Sequence, residues 1–310
     1  MRVEMVEPAG VADLASRVLR EAWPPPALDY SPEYLNWQFG FPGAVPARTA
    51  LAFADGEAVG FIGTTPRRVR FRGAERAVTV VSFAAVRPAY RGRGLLQALY
   101  ACLLDRVRRD GDPVLTFALV ESAGQRGLER AYAAAGFTLH SLGTFPTYSY
   151  LSRGAATDLT PTTGPPGSFD FPDEDTLWSD PTVEQWSHYS ADPRPRALSV
   201  AATGAAGPAV AASIVSAPVV TAQGIQTVPV LDCCFTPHPT AAGLKAILDT
   251  ASRGPNGSVV VSVPNLRGAD AATIRAAGLR QTAPGFVGYV CAADPEDPIL
   301  RAATTNLEIV

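Results

Sequence analysis

Apolar residues recur at helical spacing near the start of the chain, where Val11, Leu14, Ala15, Val18 and Leu19 share one face. The stretch WPPPALDYSP then ends that helix with a proline cluster. A second short helix is predicted over Pro32 to Phe39. RTALAFADGEAVGFIGTTPRRVRF contains two runs of strand formers joined at Asp55-Gly56, a dipeptide that favours a tight hairpin turn. RAVTVVSFAAV predicts a further strand from about Ala77 to Val86. After Gly94 the period changes: Leu95, Leu96, Leu99, Leu103 and Val107 form the buried face of a helix, and Arg106, Arg108 and Arg109 suit the dipole of its last turn. PVLTFALV, a helix over about Gly124 to Ala135, the breaker Gly136 and a pair of strand-like runs to about Leu151 complete the half. It reads β-α-α-β-β-β-α-β-α-β, which predicts a mixed α/β (α+β) fold.

The second half echoes the first. GPAVAASIV follows GEAVGFIGT, TVPVLDCCFTPHPTAAGLKAIL follows TVVSFAAVRPAYRGRGLLQALY, and RAAGLRQ follows AAAGFTL. The central offset is constant at 149 residues, with Phe235 against Val86 and Gly243 against Gly94. Ordered echoes of this kind predict a duplicated fold. Between the copies, the Pro-, Gly-, Thr- and Asp-rich stretch 153–175 has no period. The expected organisation is a first domain at 1–153, a linker at 154–174 and a second domain at 175–310.

At 310 residues, two domains are also the size expectation. A formal charge of −3 and 18% charged residues give none of the basic excess of a nucleic-acid binder. No apolar run reaches the length of a membrane span, and the charged N-terminus does not resemble a signal peptide, so a cytoplasmic protein is expected. The four cysteines have no metal-ligand spacing, and the adjacent Cys233 and Cys234 would face opposite sides of a strand; reduced packing residues and no metal are expected.

The candidate chemistry lies in VRPAYRGRGLLQALY, residues 86–100. A helix start presents unpaired N–H groups and a partial positive charge, which suits a phosphate. Gly92 and Gly94 let the backbone approach an anion, and Arg91 and Arg93 can fork onto phosphate oxygens. The turn is neither a GxxxxGK[ST] loop nor a GxGxxG turn. With its flanking strand and helix, and with AYAAAGF at 131–137, the series resembles the GNAT family of acyl-CoA-dependent N-acyltransferases. Arg91-Gly92-Arg93-Gly94-Leu95 matches that family's R-x-x-G-x-G/A pyrophosphate loop, and Leu96 departs at the last position.

The resemblance covers residues 1–151 and reaches the rest through the internal echo, implying two tandem GNAT-like domains, each a mixed central sheet flanked by helices. It implies acyl-CoA, acetyl-CoA or another short acyl form, as co-substrate, with the pyrophosphate on residues 91–96 and the pantetheine arm pairing with Ala84, Ala85 and Val86. It also implies that Tyr132 donates to the departing thiolate. In the second copy TPHPTAAG has no arginine, and Pro237 and Pro239 offer no N–H, so that domain is expected to be degenerate. The expected reaction is direct transfer to the amine of a small molecule by the first domain; a noncatalytic CoA-binding sensor and an O-acyltransferase are the alternatives. The strand TVVSFAAV lacks a carboxylate for deprotonating the amine. Glu121 is the leading candidate base, with Asp29, Glu33, a water chain past Ser82, His140, Asp232 and His238 behind it. Trp23, Tyr30, Tyr34 and Trp37 are candidates for lining the acceptor pocket. The protein is expected to be a monomer or a homodimer.

Overall fold

A computed structural model gives the architecture, and it describes all residues except 44, 120–122, 153–160, 164–170, 172–174, 205–206, 255–256, 265, 267 and 306–310. The first half contains β1 (Arg2–Val6), α1 (Ala12–Ala22), β2 (Ala27–Leu28), α2 (Pro32–Phe39), β3 (Thr49–Ala54), β4 (Glu57–Phe71) and β5 (Ala74–Val86). It continues with α3 (Leu95–Asp110), β6 (Val114–Leu119), α4 (Ala123–Ala134) and β7 (Thr138–Tyr150). The second half contains β8 (Pro161–Thr162), β9 (Thr176–Ser179), α5 (Val183–Ser190), β10 (Leu198–Gly204), β11 (Gly207–Thr221) and β12 (Gly224–Cys234). Then come α6 (Ala241–Ala251), β13 (Arg253–Gly254), β14 (Gly257–Ser258), β15 (Val261–Val263), α7 (Ala271–Ala276), β16 (Arg280–Ala292) and β17 (Thr304–Thr305).

The fold is mixed α/β, as the pattern predicts. Ala12, Ala15, Val18, Leu19 and Ala22 bury one face of α1. Asp55 and Gly56 take φ of 51° and 84°, the left-handed pair that a tight hairpin requires. Cys233 packs into a cluster with Trp186 and Phe235, and Cys234 into another with Leu231 and Leu244, on the two faces that alternation demands. Among the described residues, no helix is long and apolar enough to cross a membrane.

Some elements of the two halves match in length and others do not: α3 has 16 residues against 11 in α6, and α4 has 12 against 6 in α7. β4 and β11 are each 15 residues long, α2 and α5 each 8, and β7 and β16 each 13. The halves nevertheless share one sheet, in the order β1-β3-β4-β5-β6-β16-β7-β15-β12-β11-β10-β8. β16 pairs antiparallel with β6, Phe286 opposite Leu119 and Cys291 opposite Val114. β7 pairs antiparallel with β15, Tyr150 opposite Val261. Each half therefore completes the other's sheet. The region predicted as two short strand-like runs is one long strand, β7, because its two ends serve different partners: Leu139 lies opposite Cys291, and Ser149 is flanked by Arg280 and Ser262.

A buried ionic cluster also joins the halves. The Arg194 guanidinium meets both carboxylate oxygens of Asp192 and lies 2.7 Å from Asp232, while covering the Tyr34 ring at 4.6 Å. Removing one member of such a cluster strands buried charge, so Arg194→Met is expected to cost about 3 kcal/mol. Burial raises the Asp192 carboxyl above its ordinary range. A group raised in the fold favours folding below its unfolded value and loses that contribution as pH rises through its folded value. Acidification into the carboxylate range should accordingly restore part of the stability lost by Arg194→Met, measured by urea unfolding at neutral and acidic pH.

Candidate active site

The site begins where two parallel strands part. β5 and β6 pair only through Thr79↔Val114, Val80↔Leu115 and Val81↔Thr116. One residue later β5 bulges: Ala85 lies opposite Phe61 and Ser82 opposite Gly63, leaving Phe83 and Ala84 across from Ile62. Phe83 takes φ of 61°, a costly conformation for a bulky residue. Ring contacts hold it there, with Tyr30 at 5.4 Å and Phe39 at 6.2 Å. The extra residue and its twist turn β5 away from β6, and the backbone edge of 82–86 facing β6 pairs with no strand among the described residues.

The gap opens into a cavity of about 760 Å³. Ser82 to Val86 form one wall, Thr116 to Ala118 the other, and Gly127, Leu128 and Ala131 of α4 a third. The turn over its mouth reaches α3 through Gly92 (φ 74°) and Gly94 (φ 73°). Gly94 is the N-cap and no side chain caps the helix, whose first backbone bond is donated by Ala98 N–H to the Gly94 carbonyl. The amides of Leu95, Leu96 and Gln97 thus precede any intrahelical partner, at the positive end of a 16-residue helix. The glycines serve conformation more than clearance: a Cβ at Gly92 would meet nothing within 4 Å.

The second half differs at the corresponding point. Thr240 caps α6, its hydroxyl accepting from Gly243 N–H at 3.1 Å, and a Cβ at Gly268 would collide with the Pro237 carbonyl. There one helix-start amide is taken by the Thr240 hydroxyl, and the Pro237 carbonyl occupies the space beside Gly268.

Of the residues predicted from sequence, Ala84, Ala85, Val86, Arg91, Gly92, Gly94, Leu95 and Leu96 line the one cavity, and Arg93 does not. Arg91 is partly engaged by the protein: its Nε donates to the Val86 carbonyl at 3.1 Å, and an Nη donates to the carbonyl of Ala22 at the end of α1. It therefore pins the turn to α1. Arg93 stays exposed above the Tyr90 ring, 5.4 Å from its centroid.

Tyr132 lies beneath the cavity rather than on its wall. It is fully buried, packs on Tyr100 and Phe137 with ring centroids 5.9 Å away, and its hydroxyl has no hydrogen-bond partner. Thr116, on the cavity wall, is a polar neighbour that acts on that hydroxyl electrostatically without reaching hydrogen-bond geometry. Burial raises the phenol well above its ordinary value, so the proton stays on oxygen at neutral pH.

Glu121 lies outside the described residues. Asp29 is paired with Arg20 at 2.8 Å, Asp232 with Arg194, and Glu33 and His140 are exposed away from the cavity. His238 lines a different cavity, beside Trp178. Ser82 is on the wall, with its hydroxyl enclosed and unpartnered. No carboxylate or imidazole is among the described residues lining the main cavity. Of the four aromatic candidates only Trp23 reaches it, backed by Tyr30 at 5.2 Å. Phe117, Tyr90 and Tyr100 line it without having been singled out; an alternation argument puts Phe117 on a strand face but not beside a gap.

Residues 11–121 match the acetyltransferase (GNAT) domain family. The match spans about a third of the chain and marks what these residues are similar to. The cavity, the uncapped helix and the parted strands lie largely within it. The whole chain is similar in fold to N-myristoyltransferase of Saccharomyces cerevisiae with bound myristoyl-CoA, at 14% identity and TM-score 0.62, covering 100% of this chain and 86% of that one. A GCN5-related N-acetyltransferase from Anabaena variabilis aligns at 12% identity and TM-score 0.56, over 94% of this chain and 73% of that one. Eis1 from Mycobacterium abscessus aligns at 15% identity and TM-score 0.51, over 96% and 75%. No curated protein matches the chain.

Proposed function

We propose that the protein transfers an acetyl or other short acyl group from acyl-CoA to the amine of a small molecule, using the GNAT domain of its first half. The observation that carries this reading is the meeting, in one cavity, of an uncapped helix start with the unpaired edge of a parted parallel sheet. The first feature suits a pyrophosphate and the second an amide-bearing arm that adds like a strand. A short acyl group is favoured because the Val81↔Thr116 pair closes the gap, and Tyr100 lines the cavity there too.

In this reading the freed amides near Ala84 face the thioester oxygen and stabilise the tetrahedral oxyanion. The amine attacks directly, the C–S bond breaks, and Tyr132 supplies a proton to the leaving thiolate. The orphaned Tyr132 hydroxyl supports that role, since a buried donor without a partner is rare and a sulfur between the strands would give it one. With no base among the described wall residues, the amine enters in its neutral form, and Glu121 remains the sequence's candidate for taking its proton.

Titration calorimetry with acetyl-CoA and CoA, followed by an acetylation screen over small amines, tests the reading. Binding together with transfer is expected. Binding without transfer to any amine or hydroxyl would make the protein a CoA sensor, and an absence of binding would remove the cofactor from the account.

A further inference from the structure

The main cavity passes through the sheet, because its lining residues belong to both faces. Tyr100, Leu128 and Leu95 pack in the cluster under α3 and α4, whereas Trp23 and Phe83 pack with α1 and α2. Phe117 follows Thr116 on β6 and by strand alternation faces away from Tyr132, backed by Phe145 with ring centroids 5.5 Å apart. The start of α3, which suits the donor's pyrophosphate, is on the first face. An acceptor is left to approach the gap from the second, past Trp23, Phe83 and Phe117. We infer that this acceptor is an aromatic amine, its ring received by those three side chains and its nitrogen unprotonated before it arrives. The inference rests on reading the cavity as an acyl-CoA site.

The rings on that side are firmly set. Tyr30 backs Trp23 at 5.2 Å and Phe83 at 5.4 Å, both edge to face. The Trp23 N–H donates to the Leu19 carbonyl at 3.1 Å, and Arg91 holds the carbonyl of the preceding Ala22. Aromatic walls favour a planar ring through stacking and edge contacts that exceed the gain from buried area. Charge points the same way. The ionisable side chains among the described lining residues are Tyr90, Tyr100, whose phenol burial pushes up to about 12, and Arg91, which is tied to the Val86 and Ala22 carbonyls. No carboxylate or imidazole stands among them to take a proton. An alkyl amine with a pKa near ~10 is unprotonated in only about one molecule in ~10³ at neutral pH. The same rings would hold its ammonium by cation–π attraction, in the form that cannot attack. An aromatic amine shares its lone pair with the ring and is already neutral. Its nitrogen bonds to the acyl carbon, the C–S bond breaks, and one proton passes in net from nitrogen to sulfur by way of solvent and Tyr132.

Steady-state acetylation of aniline, benzylamine and cyclohexylamine by the full-length protein, with acetyl-CoA as donor, tests the inference. Benzylamine keeps the aromatic ring on an alkyl nitrogen, and cyclohexylamine keeps the size of aniline without the aromatic ring, so the set separates charge from shape. At neutral pH, kcat/KM is expected to be at least about tenfold higher for aniline than for either of the others. From about pH 7 to about pH 8.5 the aniline profile should stay flat, while the benzylamine rate climbs about tenfold per pH unit as its ammonium deprotonates. Trp23→Leu should raise the KM for aniline about tenfold at an unchanged KM for acetyl-CoA, with a cooperative melt retained. Benzylamine or cyclohexylamine used as well as aniline at neutral pH, phenol acetylated in its place, or an unaltered aniline KM in Trp23→Leu overturns the assignment and leaves the acyl-CoA reading standing. Binding of acetyl-CoA by calorimetry without transfer to any of the three amines overturns it as well. If acetyl-CoA does not bind, the acyl-CoA reading itself fails and the acceptor assignment falls with it.

Discussion

Replacing Gly92 and Gly94 together by valine is expected to leave a folded protein that binds CoA at least about a hundredfold more weakly. Both residues hold φ above 70°. An L-residue pays about 1–2 kcal/mol to stay there, most of all a β-branched one, so two such positions together approach the ~3 kcal/mol that a hundredfold change in affinity represents. Crowding is not the cause, since a Cβ meets nothing within 4 Å at Gly92 and only the Gln97 side chain, at 3.9 Å, at Gly94. The turn escapes the strain by moving to negative φ, which rotates the peptide N–H groups away from the helix axis. Because 91–94 is exposed, this rearrangement costs the fold little. Calorimetry with CoA and a thermal melt check the two halves of the expectation; unchanged affinity would mean that the turn does not cradle the pyrophosphate.

Tyr132→Phe separates chemistry from binding. The hydroxyl makes no protein hydrogen bond, so its loss should leave the melting temperature unchanged or slightly raised. General acid assistance contributes ~10²–10⁴ in rate, and kcat is expected to drop by about 10² or more with the KM for acyl-CoA nearly constant. Steady-state kinetics at saturating acceptor measures both. A variant that retains full kcat would return Tyr132 to a packing role beside Tyr100 and Phe137.

How much of this was legible beforehand depended on how local the signal was. The Asp55-Gly56 hairpin, the face of α1 and the Gly94 helix start all express preferences set within a few residues, and each stands where periodicity and turn chemistry put it. The echo between the halves was read from an offset that stays constant across β5, the loop and α3. The exchange of β7 and β16 was not, because Leu139 and Cys291 are distant in sequence and nothing local tells an edge strand which half it joins. The role of Arg91 was visible only in part: sequence offers a charge beside a phosphate loop, while its bond to the Ala22 carbonyl depends on the end of α1 arriving alongside. The depth of Tyr132 was hidden for a related reason. Helical spacing places it on the inner face of α4, but whether that face meets the cavity or the layer below is decided by Tyr100 and Thr116 on other elements.

The traded strands tie the two halves together independently of what either binds. Without β16, the edge of β6 that faces away from β5 would be left as a row of bare amides and carbonyls; without β7, β15 would suffer the same fate. Neither half can be deleted as a unit, because each carries a strand of the other's sheet, and so the second half is held in place by architecture whether or not it ever meets a ligand.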